Sequence, residues 1–159
     1  ALNAIALISK ERPGLTIGAG TVLNPLQMRE VQEAGADFVV SPGVYPELLK
    51  SARDSGVVFL PGAATASEMM LLLANGISAM KFFPATSAGG PEYLRALASP
   101  LADTTLCPTG GITAETVMDW LSRPNVQCVG GTWVAPKDML RKGDFGGIAA
   151  NARACSELR

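Results

Sequence analysis

Lys81 is the residue of this chain best suited to covalent chemistry. It lies in a predicted strand, residues 79–83, between the apolar residues Met80 and Phe82. Lysine is rarely buried in a sheet without a reason, because burial removes water from the ammonium group, lowers its pKa and exposes the lone pair of the amine. Such a lysine is a candidate nucleophile that forms a Schiff base with a carbonyl substrate. The alternative is a lysine at a strand end that pairs with a carboxylate.

The chain has no histidine, so the commonest general base and the commonest metal ligand are both excluded. Catalysis must then use Lys, Asp, Glu, Tyr, Cys or backbone groups. The acidic residues fall mostly on predicted helices, and none lies at the carboxyl end of a predicted strand. A Schiff-base enzyme also needs a proton shuttle. We therefore expect this chain to lack the general acid/base glutamate.

Two pairs of glycines follow neighbouring predicted strands and could bind an anion. Gly110 and Gly111 follow residues 105–108, and Gly130 and Gly131 follow residues 127–129. Glycine lets backbone N–H groups approach an anion, and a helix N-terminus adds a favourable field. Either pair alone could equally be a tight turn. Together, at the ends of adjacent strands, they favour a phosphate site.

Helical and strand patterns alternate along the whole chain. The predicted helices are residues 1–11, 25–34, 46–54, 67–75, 91–98, 114–122 and a segment from about 145. The predicted strands are residues 15–18, 37–40, 57–60, 79–83, 105–108 and 127–129. Repeated βα units predict a parallel sheet. Small residues end nearly every strand, which favours a barrel whose loops meet at one rim over an open doubly wound sheet.

Six strands do not close an eight-stranded barrel, and 159 residues is below the roughly 200 of small examples. The chain also begins inside a predicted helix, without an initiator methionine or an N-cap. We therefore expect an α/β fold in which residues 1–159 form a single (β/α)8 TIM-barrel domain, N-terminally truncated and lacking about the first two strands.

The composition limits the kinds of binding partner and the cellular compartment that we expect for this protein. The net charge is −1 with scattered basic residues, which argues against a nucleic-acid surface. The apolar runs are far shorter than a membrane span of roughly 20 residues. Hydrophobic residues make up 48% of the chain, which favours strands covered on both faces. The three cysteines form no CxxC pair, so we interpret them as reduced core thiols of a cytoplasmic protein.

Five short motifs occur along the chain, at residues 18–24 (GAGTVLN), 41–43 (SPG), 81–85 (KFFPA), 108–112 (PTGGI) and 130–133 (GGTW). In this order they resemble the motifs of the bacterial 2-keto-3-deoxy-6-phosphogluconate (KDPG) aldolase and 4-hydroxy-2-ketoglutarate (KHG) aldolase family. The resemblance covers essentially the whole chain. It implies a class I aldolase of the Entner–Doudoroff pathway, usually a homotrimer, that splits the sugar acid into pyruvate and glyceraldehyde 3-phosphate without a metal or other cofactor.

The resemblance also implies roles for individual residues. Lys81 matches the Schiff-base lysine, Thr21 a hydroxyl that holds the pyruvate carboxylate, and Thr109 a residue beside the reacting carbons. The positions that match the phosphate site are Gly110, Gly111, Gly130, Gly131 and Thr132. Phe83 and Pro84 match residues that line the pocket of the lysine, with Pro42 nearby.

Other functions remain open at this point. A phosphosugar isomerase or epimerase, or a non-catalytic phosphate-binding barrel, would keep the glycine loops and use Lys81 only to contact ligand charge. An aldolase for 2-keto-3-deoxy-6-phosphogalactonate would keep the chemistry of Lys81. The family commonly has serine at the position of Thr132, and Thr132 keeps that hydroxyl.

Overall fold

Six short parallel strands form two three-stranded sheets in the computed structural model, which describes residues 1–158. The strands are β1 (Gly18–Ala19), β2 (Phe38–Val40), β3 (Val58–Leu60), β4 (Gly62–Ala63), β5 (Ala79–Phe82) and β6 (Thr105–Pro108). The sheets have the orders β1-β2-β3 and β4-β5-β6. The helices are α1 (Leu2–Glu11), α2 (Pro25–Glu33), α3 (Pro46–Ser55), α4 (Ala66–Ala74), α5 (Gly90–Leu97), α6 (Val117–Leu121), α7 (Lys137–Lys142) and α8 (Phe145–Ser156).

The two sheets share one extended run of chain. Residues 58–60 pair with β2, and residues 62–63 pair with β5. Pro61 separates the two short strands, and its carbonyl accepts a hydrogen bond from the Lys81 amide at 2.8 Å. Proline has no N–H to donate to a neighbouring strand, so it divides the run. All six strands are thereby placed side by side, with their carboxyl ends at one edge.

In strands β5 and β6, one face is buried and the other is partly exposed. In β5, Met80 and Phe82 are buried, whereas Ala79 is exposed and Lys81 is half-buried. Strand β6 repeats this alternation. Successive side chains of a strand point to opposite faces, so the face that carries Lys81 is the open one. The expectation of strands covered on both faces is wrong for β5 and β6, whereas both residues of β4 are buried.

The buried face packs against the helices in two hydrophobic clusters. In the larger cluster the Phe82 ring stacks on Tyr93, with 5.8 Å between centroids, and lies 6.4 Å from Trp120. The smaller cluster contains Met28 and Val39, both fully buried. The half-buried Phe59 packs against both clusters. This packing holds the strand that carries Lys81 from behind.

Two helices begin at strand exits with side-chain caps. Asn24 accepts a hydrogen bond from the Gln27 amide at 2.9 Å, and Pro25 occupies the first turn of α2. Thr65 and Glu68 form a reciprocal capping box at the start of α4. These caps satisfy amides that have no partner within the helix, so the chain leaves each strand at a defined position.

The structure corrects the predicted run of six βα units of an eight-stranded TIM barrel. Residues 127–129 form no strand, and only the isolated bridges Leu106–Val126 and Thr109–Gly130 join this segment to β6. The bridges differ by one residue in register, and Pro108 between them has no N–H to donate, so the pairing is interrupted. The short strand β4 and the helix α7 were not predicted.

Among residues 1–158, no helix is both long enough and apolar enough to cross a membrane.

Candidate functional site

Lys81 lies near the carboxyl end of β5, on the open face of the strands. Its Nζ is 4.6 Å from the centroid of the Phe83 ring. Burial lowers the pKa of Lys81, and the nearby Cys107 opposes this shift to a smaller extent. The amine is therefore neutral more often than an exposed lysine at the same pH. This lowered pKa agrees with the interpretation of Lys81 as a nucleophile.

The strand next to β5 places one further predicted residue, Pro42, close to Lys81. Gly62 is the register partner of Lys81 on β4. A Cβ atom on Gly62 would lie only 2.2 Å from the carbonyl group of Pro42, so the backbone of Pro42 approaches the strand directly beside Lys81. On the other side, Cys107 is the register partner of Lys81 on β6.

Thr109 connects the strand of Lys81 to both glycine pairs. Its amide donates to Phe82 O at 2.9 Å, and its carbonyl accepts from the Ala85 amide at 2.9 Å. A Cβ atom on Gly130 would lie 2.6 Å from Thr109 Oγ1, so only glycine permits this approach. The structure therefore brings the first glycine pair, the second pair and the exit of β5 together.

The amides of the glycine loops are available to a ligand. Among the described residues, the N–H groups of Gly111, Gly131 and Thr132 donate to no acceptor in the chain. Gly110 and Gly111 have φ angles of 107° and 77°, which favour glycine. One part of the expectation is wrong: α6 begins at Val117 rather than near residue 114, so its N-terminus does not directly follow the first glycine pair.

Thr86 fixes the first glycine loop and was not predicted to do so. Its amide and its Oγ1 both donate to Gly110 O, at 3.1 and 3.0 Å. A Cβ atom on Gly111 would lie 2.5 Å from Thr86 Oγ1. The only signal for Thr86 in the sequence is its position directly after residues 81–85. The peptide between Phe83 and Pro84, at the start of this segment, is cis.

Thr21 lies at the same edge but on a more distant strand. It follows β1, and β2 and the run at residues 58–63 lie between β1 and the strand of Lys81. Its φ angle is 62°, and no other described non-glycine residue has a positive φ. A β-branched residue in this region is strained, and such strain tends to occur at ligand sites.

The carboxylates of the described residues have structural partners or lie away from Lys81. Glu68 comes nearest to a strand exit, because its Oε2 accepts hydrogen bonds from the Ala64 and Thr65 amides at 2.8 and 2.9 Å. Burial raises the pKa of Glu68, but these hydrogen bonds outweigh burial and hold the pKa below 4.5. Asp37 accepts from the Ile17 amide at 2.7 Å, at the opposite end of β2.

None of the three cysteines is a core residue, contrary to the sequence interpretation. Cys128 is exposed, and Cys107 and Cys155 are half-buried. Cys128, Trp133 and Cys155 line a cavity of about 240 Å³ whose lining does not include Lys81. Within residues 1–158, no group of three or more His, Cys, Asp or Glu side chains is arranged to hold a metal ion.

Comparison with known proteins assigns the family. The model of the KDPG and KHG aldolase family matches residues 1–151. The chain is 47% identical to the 2-dehydro-3-deoxy-phosphogluconate aldolase of Pseudomonas aeruginosa over 98% of its own length and 71% of the relative. The chain belongs to the KDPG and KHG aldolase family.

Solved structures of this family superpose closely on the chain. The KDPG aldolase of Legionella pneumophila, with pyruvate captured as a covalent carbinolamine intermediate, matches with a TM-score of 0.95 and 38% identity, over 97% of this chain and 75% of that one. The aldolase of Zymomonas mobilis ZM4 with 3-phosphoglycerate matches with a TM-score of 0.93 and 43% identity, over 100% of this chain and 74% of that one.

These matches also correct the predicted fold class. The chain has an α/β fold with parallel strands, and family structures match it over 97–100% of its length. The predicted fold class, six βα units of an eight-stranded barrel, is corrected to an α/β fold with two three-stranded parallel sheets. The prediction counted each βα unit as one strand of a barrel. In the structure, Pro61 separates the two sheets, and regular pairing ends near Pro108.

Proposed function

We propose that this chain is a class I aldolase that cleaves 2-keto-3-deoxy-6-phosphogluconate to pyruvate and glyceraldehyde 3-phosphate. The observation that carries the proposal is Lys81, a half-buried amine with a lowered pKa at a strand edge shared with two glycine loops. The names of family members that are 42–47% identical support the same substrate.

Lys81 is the nucleophile of the proposed reaction. Its neutral amine attacks the C2 carbonyl carbon of the substrate to give a carbinolamine, and loss of water gives an iminium ion. Removal of the proton from the C4 hydroxyl breaks the C3–C4 bond, and the bonding electrons move into the iminium. The aldehyde leaves, the resulting enamine takes a proton at C3, and water releases pyruvate from Lys81. The pyruvate carbinolamine captured in the Legionella pneumophila aldolase corresponds to the last covalent intermediate of this scheme, from which pyruvate is released.

The remaining predicted residues hold the two ends of the substrate. We assign the phosphate to the loop residues Gly110, Gly111, Gly130, Gly131 and Thr132. The free amides of these loops support this assignment, since backbone N–H groups bind phosphate oxygens well. Thr21 holds the pyruvate carboxylate, Thr109 lies beside the reacting carbons, and Phe83, Pro84 and Pro42 line the space around the amine.

The proton transfers are assigned to no carboxylate of the described residues. Glu68 is held by the capping box, and its lowered pKa makes it a weak base. A general acid or base contributes about 10²–10⁴-fold to a rate. The Schiff-base step depends on Lys81 alone, so its test does not require the proton shuttle to be known.

The proposal extends to assembly and compartment. We propose a homotrimer in the cytoplasm. Met70 and Leu71 support a subunit contact, because they expose 59% and 42% of their surface on α4 while Met69 and Leu72 of the same helix are fully buried. Exposed apolar side chains that adjoin one another are typical of protein contacts.

A matched pair of lysine variants tests the proposed reaction. Lys81→Met removes the amine and keeps an unbranched apolar chain, and we expect KDPG cleavage to fall by about 10³-fold or more, as for loss of an enzyme nucleophile. Lys50→Met is the control, because Lys50 is an exposed residue of α3 that pairs with Asp54. Cleavage is followed by the pyruvate released.

Retained cleavage in Lys81→Met would contradict the role of Lys81 as nucleophile. The second candidate, a phosphosugar isomerase or epimerase in which Lys81 only contacts ligand charge, predicts instead that the parent chain does not cleave KDPG and that its isomerase or epimerase turnover is retained in Lys81→Met. The two glycine loops are the observation that keeps this candidate in view. Comparison of rates on the gluconate and galactonate epimers of the substrate separates the two aldolase alternatives.

A further inference from the structure

Two cysteines continue the row of side chains that begins with Lys81. Cys107 is the register partner of Lys81 on β6. Counting back two residues from the Thr109–Gly130 bridge sets Cys107 opposite Cys128, whereas counting forward one residue from the Leu106–Val126 bridge sets it opposite Gln127. Cys128 therefore lies at or directly next to the position that faces Cys107. The two cysteine side chains form a hydrogen bond with each other. Neither thiol is used by the proposed aldolase reaction.

The backbone geometry suits a covalent link between these cysteines. Neighbouring strands lie about 4.7–4.9 Å apart, and disulfides join Cα atoms that are about 4.4–6.8 Å apart. Cys107 and Cys128 lie on neighbouring segments joined by bridges on both sides of the pair, at Leu106–Val126 and Thr109–Gly130. The bridges therefore hold the two backbone segments side by side on both sides of the cysteines.

The two thiols differ in accessibility and in protonation. Cys128 is exposed, whereas Cys107 is half-buried. The hydrogen bond with Cys128, followed by burial, raises the pKa of the Cys107 thiol. An oxidant from solution therefore reacts with Cys128 first, while the neighbouring Cys107 remains a protonated thiol. This is the arrangement of an attacking and a resolving cysteine.

We propose that Cys107 and Cys128 form a dithiol modification site, which hydroperoxides convert reversibly into a disulfide. The Cys128 sulfur attacks a peroxide oxygen, the O–O bond breaks, and an alcohol or water leaves, so that Cys128 becomes a sulfenic acid. The Cys107 sulfur then attacks the Cys128 sulfur, the S–O bond breaks, and water leaves with the Cys107 proton. Two thiols and one hydroperoxide give one disulfide, one alcohol or water, and one further water. A dithiol reductant reverses the link by exchange.

Cys155 is the alternative disulfide partner of Cys128. It lines the same cavity as Cys128, so an exposed Cys128 sulfenic acid could instead be captured from that side. We expect Cys107 as the partner, because the two isolated bridges hold its segment beside that of Cys128, whereas Cys155 belongs to α8. Peptide mapping distinguishes the two partners directly.

Oxidation of the chain with hydrogen peroxide, followed by denaturation, alkylation with iodoacetamide and peptide mapping, tests the proposal. We expect the alkylated thiols to fall from three to Cys155 alone, a Cys107–Cys128 cross-linked peptide to appear within one chain, and dithiothreitol to restore all three. Cys155→Ser should form the same cross-link. Cys107→Ser should stop at a Cys128 sulfenic acid that dimedone labels.

A Cys128–Cys155 cross-link, cysteine sulfinic acid without a cross-link, or three alkylatable thiols after oxidation would overturn the proposal. Circular dichroism of each serine variant checks that it is folded, and a non-reducing gel checks that the cross-link is internal. No readout uses aldolase activity, so failure here is distinct from failure of the proposed function.

Discussion

At the scale of single residues, the environment of Lys81 determines its chemistry. The amine lies on the open face of β5, over the Phe83 ring, while its two strand neighbours are buried on the other face. Partial burial keeps enough water away to lower the pKa and still leaves access for a substrate. The alternative from sequence, a lysine at a strand end locked to a carboxylate, is wrong, because the described salt bridges do not include Lys81.

The lowered pKa of Lys81 predicts a particular dependence on pH. Only the neutral amine attacks a carbonyl, so the rate of adduct formation with pyruvate should rise with pH and level off above the pKa of Lys81. Burial lowers this pKa, so the inflection should lie below the 10.5 of an ordinary lysine. Rapid-quench measurement of the adduct across pH checks this. An inflection at or above 10.5 would contradict it.

Replacing Thr21 should change the stability of the protein and its affinity for substrate in opposite directions. Its φ of 62° strains a β-branched residue by about 1–3 kcal/mol. Glycine removes this strain, but it also raises the conformational entropy of the unfolded chain, which lowers the free energy of unfolding by about 0.4–1 kcal/mol. Thr21→Gly should therefore raise the free energy of unfolding by about 1 kcal/mol, while the KM rises several-fold because the hydroxyl is lost. Thr21→Ala should raise the KM without a comparable gain in stability.

Urea denaturation and steady-state kinetics measure both effects for the two variants. A Thr21→Gly protein that is less stable than the parent would contradict the strain argument. An unchanged KM in both variants would contradict the assignment of Thr21 to the carboxylate.

At the scale of elements, sequence signals located most helices because their ends carry caps. Helix α3 is an example: Pro46 lies in its first turn, and Gly56 ends it with a φ of 67°. Helix α6 was predicted three residues too early, because Thr113 and Thr116 form a hydrogen-bonded turn before it. Strand β4 is too short, and too rich in glycine and alanine, to give a strand pattern.

The residues of the candidate site could be predicted from the sequence only in part. The type and neighbours of Lys81 were enough to single it out, because an apolar strand rarely contains lysine. The pairing of Cys107 with Cys128 could not be predicted, because it depends on a change of register between two isolated bridges. The role of Thr86 was also hidden, since its partner Gly110 is distant in sequence and the contact exists only in the folded chain.

The capping box of α4 gives a prediction at this scale. Glu68→Gln weakens hydrogen bonds to the Ala64 and Thr65 amides and should lower the free energy of unfolding by about 1 kcal/mol at pH 7, with unchanged kcat. Because the folded-state pKa of Glu68 is lowered, this contribution is present above the unfolded pKa and is lost as pH falls through the folded pKa. The two proteins should therefore converge in acid.

Thermal or urea denaturation at neutral and acidic pH measures the effect. Glu33→Gln is the control, because Glu33 is an exposed residue in the last turn of α2 and makes no cap; we expect no loss there. A large fall in kcat for Glu68→Gln would instead identify Glu68 as the proton shuttle and contradict our assignment.

At the scale of the whole molecule, two hydrophobic clusters support one open face. Phe59 packs against both clusters, and the run at residues 58–63 pairs with both sheets. The strand exits that carry Thr21, Pro42, Lys81 and Thr109 consequently share one edge. Among the described residues, the helices pack against the opposite face in the two clusters. This arrangement brings residues that are far apart in sequence to the edge where we propose the site.

Trapping with pyruvate and borohydride shows directly whether Lys81 forms the Schiff base. Pyruvate and the chain are mixed near neutral pH, sodium borohydride reduces any iminium, and peptide mass spectrometry locates the product. The account predicts one reduced pyruvyl group per chain, attached to Lys81 and absent from Lys81→Met. A modified lysine elsewhere, or an unmodified Lys81 in a chain that cleaves KDPG, would contradict it.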